Sequence, residues 1–122
     1  MRGQVQDIPV AMEVPGVRIA SSGGWGGMVF EHIECTDRMD VGPMMEGLPG
    51  DLCPCPHWGY MLKGAFHTQY SDNTEEVVTE GDAFYMPAPH TGWFEAGSTM
   101  IIFSPEAEAT QVAEHVARKM QG

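Results

Sequence analysis

Cys53, Cys55 and His57 alternate with two prolines in Cys53-Pro54-Cys55-Pro56-His57, and a second histidine, His90, follows 33 residues later. Two thiols and two imidazoles are soft donors of the kind that zinc and iron(II) accept, and four of them complete a tetrahedron. In an extended strand residues i, i+2 and i+4 share a face, so the three clustered donors can all look inward while Pro54 and Pro56 look out. Those prolines also favour polyproline II, whose three-residue turn rotates one donor off the shared face. Three converging donors are the safer expectation and four the full set. With no carboxylate majority to harden it, the set predicts zinc first and iron(II) second. Two metal-free readings compete: ordinary buried thiols, and a redox pair. The pair is disfavoured because Cys-x-Cys lacks the helix N-terminus that lowers the thiol pKa in Cys-x-x-Cys motifs.

Other groups are weaker candidates. Glu31 and Glu34, in Phe30-Glu31-His32-Ile33-Glu34, are possible proton carriers from a neighbouring strand, as are His67 and Asp51. Strand parity alone does not say which of Glu31, His32 and Glu34 look inward. Met44, Met45, Met61 and Met86 would make an adaptable apolar lining if they face the donors, and core filling is their plainer role. Cys35 reads as a buried, inert thiol.

The elements that must position these groups are short. β-like runs punctuated by glycine, proline and Asp/Asn recur about every ten residues, which predicts an all-β sandwich or barrel. The expected strands are Val17 to Ser21, Met28 to Cys35, Trp58 to Lys63, Phe66 to Tyr70, Glu75 to Thr79, Ala83 to Met86, Trp93 to Glu95 and Thr99 to Phe103. Ser71-Asp72-Asn73-Thr74 and Gly81-Asp82 carry turn chemistry. Over residues 57–62, Trp58, Tyr60 and Leu62 alternate with His57, Gly59 and Met61, so one strand face lines a lumen and the other, aromatic, suits a second sheet or a dimer partner.

A helix is expected over about 105–121, with Ser104 as its cap, Pro105 at its first position, Glu106 and Glu108 near its start and Arg118 and Lys119 near its end. Ala109, Val112, Ala113, Val116 and Met120 form its apolar stripe, and His115, off that stripe, reads as solvated. The glycines around Trp25 lack the pattern of a phosphate-binding loop and read as a turn.

The 122 residues, 43% hydrophobic, predict one domain spanning 1–122. Seventeen acidic residues against six basic ones give a formal charge of −11, a field that repels nucleic acid and anionic membrane surfaces. No opening apolar stretch resembles a signal peptide and no run of about 18 apolar residues occurs, so a cytoplasmic protein with free thiols is expected.

His-Trp-Gly-Tyr-Met-Leu-Lys-Gly at 57–64, followed by Gly81-x5-Pro87 and a histidine, resembles the two motif regions of the cupin superfamily across roughly residues 50–104. Against G-x5-H-x-H-x(3,4)-E-x6-G, Gly64 matches the last glycine, His57 stands at the glutamate position, and Cys53 and Asp51 stand at the two histidine positions. Against G-x5-P-x-G-x2-H-x3-N, Gly81 and Pro87 match, Pro89 replaces a glycine, His90 comes two residues early and the asparagine is absent.

The resemblance implies a double-stranded β-helix, or jelly-roll barrel, with a metal in its mouth, often in a homodimer, and here a sulfur-rich variant of the usual site. Fold alone selects no activity. The expectations are a metal-dependent enzyme acting on a small organic molecule or, alternatively, a non-catalytic metal-stabilised domain that binds or senses a small ligand. A metal-free ligand pocket is the third.

Overall fold

Side chains close the turns that set the strand order. Asp72 Oδ1 accepts hydrogen bonds from the Thr74 amide at 3.0 Å and hydroxyl at 2.6 Å, and Asp82 Oδ2 accepts one from the Thr79 amide at 2.8 Å. The computed structural model describes residues 1–121. In chain order its strands are β1 (Val10–Val14), β2 (Val17–Ser22), β3 (Met28–Cys35), β4 (Met39–Asp40), β5 (His57–Lys63), β6 (Ala65–Tyr70), β7 (Glu75–Thr79), β8 (Ala83–Met86), β9 (His90–Phe94) and β10 (Ser98–Pro105). A one-turn helix α1 (Gly42–Met45) follows β4, and α2 (Glu106–Gln121) follows β10 without a linker.

These strands form two antiparallel sheets that face each other as a jelly roll: six strands in the order β1-β2-β3-β10-β5-β8, and four in the order β4-β9-β6-β7. The fold class expected from the sequence is the one observed. Strand β10 is the spine of the larger sheet, pairing with β3 along all eight residues and with β5 on its other side. Its burial alternates strictly, sending Ser98, Met100, Ile102 and Ser104 inward.

Ile33, Met61, Phe66, Phe94 and Ile102 fill the space between the sheets. Burying such a side chain contributes roughly 1.5–3 kcal/mol. Phe66 and Phe94 pack with ring centroids 4.6 Å apart. Gly92 lies two residues before Phe94 on β9, and a Cβ there would come within 2.6 Å of the Phe66 ring, so only glycine admits that packing.

Two expectations need correction. Ser104 and Pro105 end β10, so Ser104 does not cap the helix: pairing with Val29 across β3 holds it in the sheet. His115 is half-buried and not free in solvent, because its Nε2–H donates to the Glu46 carbonyl at 2.7 Å. That bond ties α2 to the segment after α1. Ala109, Val112 and Val116 of α2 pack on Met45, Leu48, Cys53 and Cys55, whereas Ala113 and Met120 of the stripe read from the sequence are exposed.

Strands β1 and β4 were not expected. On the outer face of the larger sheet Ile8 covers Ala20 and Phe30, whereas Trp58, Tyr60, Leu62 and Tyr85 are exposed, with Trp58 and Tyr85 stacked at 5.0 Å. No helix among the described residues is long and apolar enough to cross a membrane.

Candidate metal centre and its cavity

Cys53 and His90, distant in sequence, are zipped together by the backbone. The Cys53 amide donates to the His90 carbonyl at 2.7 Å and the His90 amide to the Cys53 carbonyl at 3.2 Å, an isolated antiparallel bridge. Directly paired residues of this kind point their side chains to the same face, so thiol and imidazole arrive side by side. His57, the first residue of β5, pairs with Met86 and projects to the same place, its ring 5.0 Å from that of His90.

The ligand atoms of Cys53, His57 and His90 all lie within 4.8 Å of one another, a group that can hold a metal ion. Cys55 is buried but lies outside this group. Its thiol faces the Pro56 carbonyl at 3.5 Å and the Ser104 hydroxyl. Of the four donors expected from the sequence, Cys55 is the one that this group leaves out.

Each imidazole has one nitrogen occupied and one free. His90 Nδ1 lies 3.0 Å from the Pro87 carbonyl, which only accepts, so Nδ1 carries the proton and Nε2 keeps its lone pair. His57 Nδ1 lies 2.6 Å from Ser104 Oγ, and its Nε2 faces the Cys53 sulfur at 3.9 Å. A histidine that donates its far N–H to the protein and aims its other nitrogen at a shared point is the usual posture of a metal ligand. Ser104 and the Pro87 carbonyl are the functional groups that motif reading missed, since neither belongs to a metal-ligand class.

Electrostatics suit a cation. Burial, reinforced by the neighbouring His90, pushes His57 down to about 3, and burial also lowers His90, so both rings are neutral and able to ligate at neutral pH. Burial raises the Cys53 thiol, with the Glu31 carboxylate adding to the rise and the Cys55 backbone bond opposing it. Burial and the Cys53 charge push Cys55 up to about 12 despite its bond to Ser104. Without a cation both thiols stay protonated. A divalent ion fits this set, because it replaces the Cys53 proton and finds two uncharged nitrogens already prepared.

Ser104 anchors both His57 and Cys55, so Ser104→Ala is expected to weaken zinc affinity by roughly 10–100-fold while leaving the stoichiometry at saturation unchanged. Competition with a chelator of known affinity measures this.

The trio lies on the wall of a cavity of about 540 Å³ that runs from the barrel interior to the apolar face of α2. Seven of the ten methionines line it, Met44, Met45 and Met86 among them; Met45 and Met86 also pack in the core, as does Met61, which does not reach the cavity. Among the four proton-carrier candidates only Glu31 reaches the cavity. Ile102 pairs with Glu31 across the sheet, which fixes the parity that the sequence left open. Burial pushes the Glu31 carboxyl up to about 7.

The other candidates lie elsewhere. Glu34 is on the opposite face of β3, with one oxygen 3.7 Å from His32. Asp51 accepts from the Gly47 amide at 3.0 Å on the surface. His67 lies on the outer side of the smaller sheet, stacked on Trp93 at 3.9 Å and 2.7 Å from Glu95.

No protein-family model matches the sequence, and no curated protein matches it. Solved structures do. An RmlC-like cupin from Shewanella frigidimarina is 17% identical over 84% of this chain and 88% of its own, with a TM-score of 0.59. Ectoine synthase from P. lautus is 6% identical over 86% and 77%, with a TM-score of 0.57. The polyketide cyclase RemF from Streptomyces resistomycificus is 16% identical over 86% and 78%, with a TM-score of 0.56. The likeness is one of fold: the chain has the cupin jelly roll, closed by a C-terminal helix.

Proposed function

We propose that this cupin barrel is a metal-dependent enzyme that transforms a small organic molecule, with Cys53, His57 and His90 as protein ligands and zinc as the ion, iron(II) being second. The observation that carries the proposal is the three-donor group on the wall of a roomy cavity. Three protein ligands with a further position for water or substrate is the pattern of catalytic zinc sites, whereas structural sites close all four. Cys55 supports the open reading, because its thiol is engaged with Ser104 and the Pro56 carbonyl. When bound, the ion supplies Lewis acidity at that position.

The chain's own residues do the rest. Ser104 and the Pro87 carbonyl orient the two imidazoles. Glu31, whose carboxyl exchanges its proton near neutrality, moves a proton to or from a molecule in the cavity. Helix α2 limits the entry of water. The alternative, a non-catalytic metal-stabilised binding or sensing domain, is the reading that a fourth protein donor closing the site would favour.

Elemental analysis of protein purified without added metal, followed by cobalt substitution, tests the proposal. One ion per chain and a visible spectrum that changes when azide is added are expected; a closed four-donor spectrum indifferent to azide would refute the enzyme reading.

The expected homodimer belongs to the same proposal, resting on the exposed Trp58, Tyr60, Leu62 and Tyr85 face. Sedimentation should give twice the chain mass and Tyr60→Glu the chain mass alone; a monomeric parent protein would remove the dimer.

A further inference from the structure

The cavity's lining has a charge pattern that selects its ligand. No lysine or arginine lines it among the described residues. Its two carboxylates differ: Glu13 is paired with Arg18 at 3.2 Å, while Glu31 makes no ion pair with any described residue. Apart from the proposed ion, an anionic ligand entering here would shed its water, find no lysine or arginine on the lining and approach an acidic group inside a chain of net charge −11. A cationic ligand would leave its hydration shell for walls made chiefly of methionine, valine, isoleucine and phenylalanine.

We infer that the cavity takes an uncharged, largely apolar molecule of drug-like size, with a carbonyl or hydroxyl end toward His57, His90 and Glu31 and its apolar body beneath α2. The volume is in the range that encloses such molecules. Methionine side chains are unbranched and polarizable, so a wall rich in them fits the shape of an apolar body without one rigid complement. Polar lining groups are few, His57, His90 and Glu31 with Glu13, Ser21 and Thr110, and the helix face contributes Val112, Ala113 and Val116 to the apolar remainder. This inference rests on the cavity being the binding site of the proposed function, and it adds the charge and polarity of what binds.

Three probes of nearly one shape separate the possibilities: 2-acetonaphthone, 2-naphthoate and 1-(2-naphthyl)ethylammonium. Each is titrated calorimetrically at pH 7.5 into metal-stripped and into zinc-loaded protein. In metal-stripped protein the ketone is expected to bind at least tenfold more tightly than either ion; the zinc-loaded titration shows how much the ion adds for each probe. Ala113→Trp and Thr110→Trp, two exposed positions of α2 that line the cavity, should each cut ketone affinity at least tenfold.

Equal or tighter binding of the carboxylate or the ammonium to metal-stripped protein overturns the inference. So does absence of saturable ketone binding, or ketone affinity unchanged in both folded tryptophan variants. Because the metal-stripped titration does not involve the ion, its failure is separate from failure of the metal proposal, which elemental analysis reads directly.

Discussion

Cys53→Ser should leave the purified protein with less than about one-tenth of an ion per chain, while Cys55→Ser retains nearly the parental content. The two cysteines are two residues apart and both buried, so composition and accessibility do not distinguish them. Their surroundings do. Cys53 is locked beside His90 by two backbone hydrogen bonds, and its sulfur faces His57 Nε2. Cys55 turns to the Pro56 carbonyl and the Ser104 hydroxyl.

Removing Cys53 takes away the only anionic donor of the trio and leaves two neutral imidazoles. The loss of affinity should exceed the roughly 10–100-fold typical of losing a group behind a ligand. Removing Cys55 touches the centre only through Ser104, so Cys55→Ser resembles Ser104→Ala in affinity and the parent in stoichiometry. Elemental analysis after gel filtration reads the contrast. Equal metal loss in both variants would mean that four donors close the site, and parental content in Cys53→Ser would remove the centre altogether.

The sequence carried the strands whose sides differ and the donors that lie close together. In β5 the alternation of Trp58, Tyr60 and Leu62 with His57, Gly59 and Met61 is local, and it correctly set the lumen face. The joining of Cys53 to His90 is non-local: no periodicity encodes it, and only the matching donor chemistry of the two stretches and the cupin resemblance brought them together. Ser104-Pro105 followed by two acids reads as a helix start on local grounds, yet β10 extends through both residues because β3 provides partners for them. Strand β1 escaped notice because it is a largely exposed edge strand with prolines on both sides. The role of Glu31 was illegible for a different reason: residues 30–34 can face either way until the register with β10 is known.

Zinc affinity should rise about tenfold per pH unit between about pH 7.5 and about pH 9, and the number of protons released identifies the donors. His57, pushed down to about 3, and His90, also lowered, are already deprotonated throughout this range and release nothing. Cys53 is raised above its ordinary value by burial, so binding must expel one thiol proton. Each step up in pH makes that expulsion easier, which fixes the sign: affinity increases with pH, with a slope of about one. If Cys55, pushed up to about 12, also bound as thiolate, a second proton would leave and affinity would rise about a hundredfold per unit. Glu31 complicates the lower range. Its carboxyl titrates at about 7, and a nearby cation favours its ionised form, so below about pH 7 the parent protein should release part of a further proton. Glu31→Gln removes that contribution, and its slope should remain near one from about pH 6 to about pH 9. Chelator-buffered titrations of the parent and Glu31→Gln measure both slopes. A slope near two in Glu31→Gln that falls to one when Cys55→Ser is added would assign both thiols to the ion, a slope near two that persists would report loss of a proton from zinc-bound water, and a slope near zero would mean that no thiol binds it.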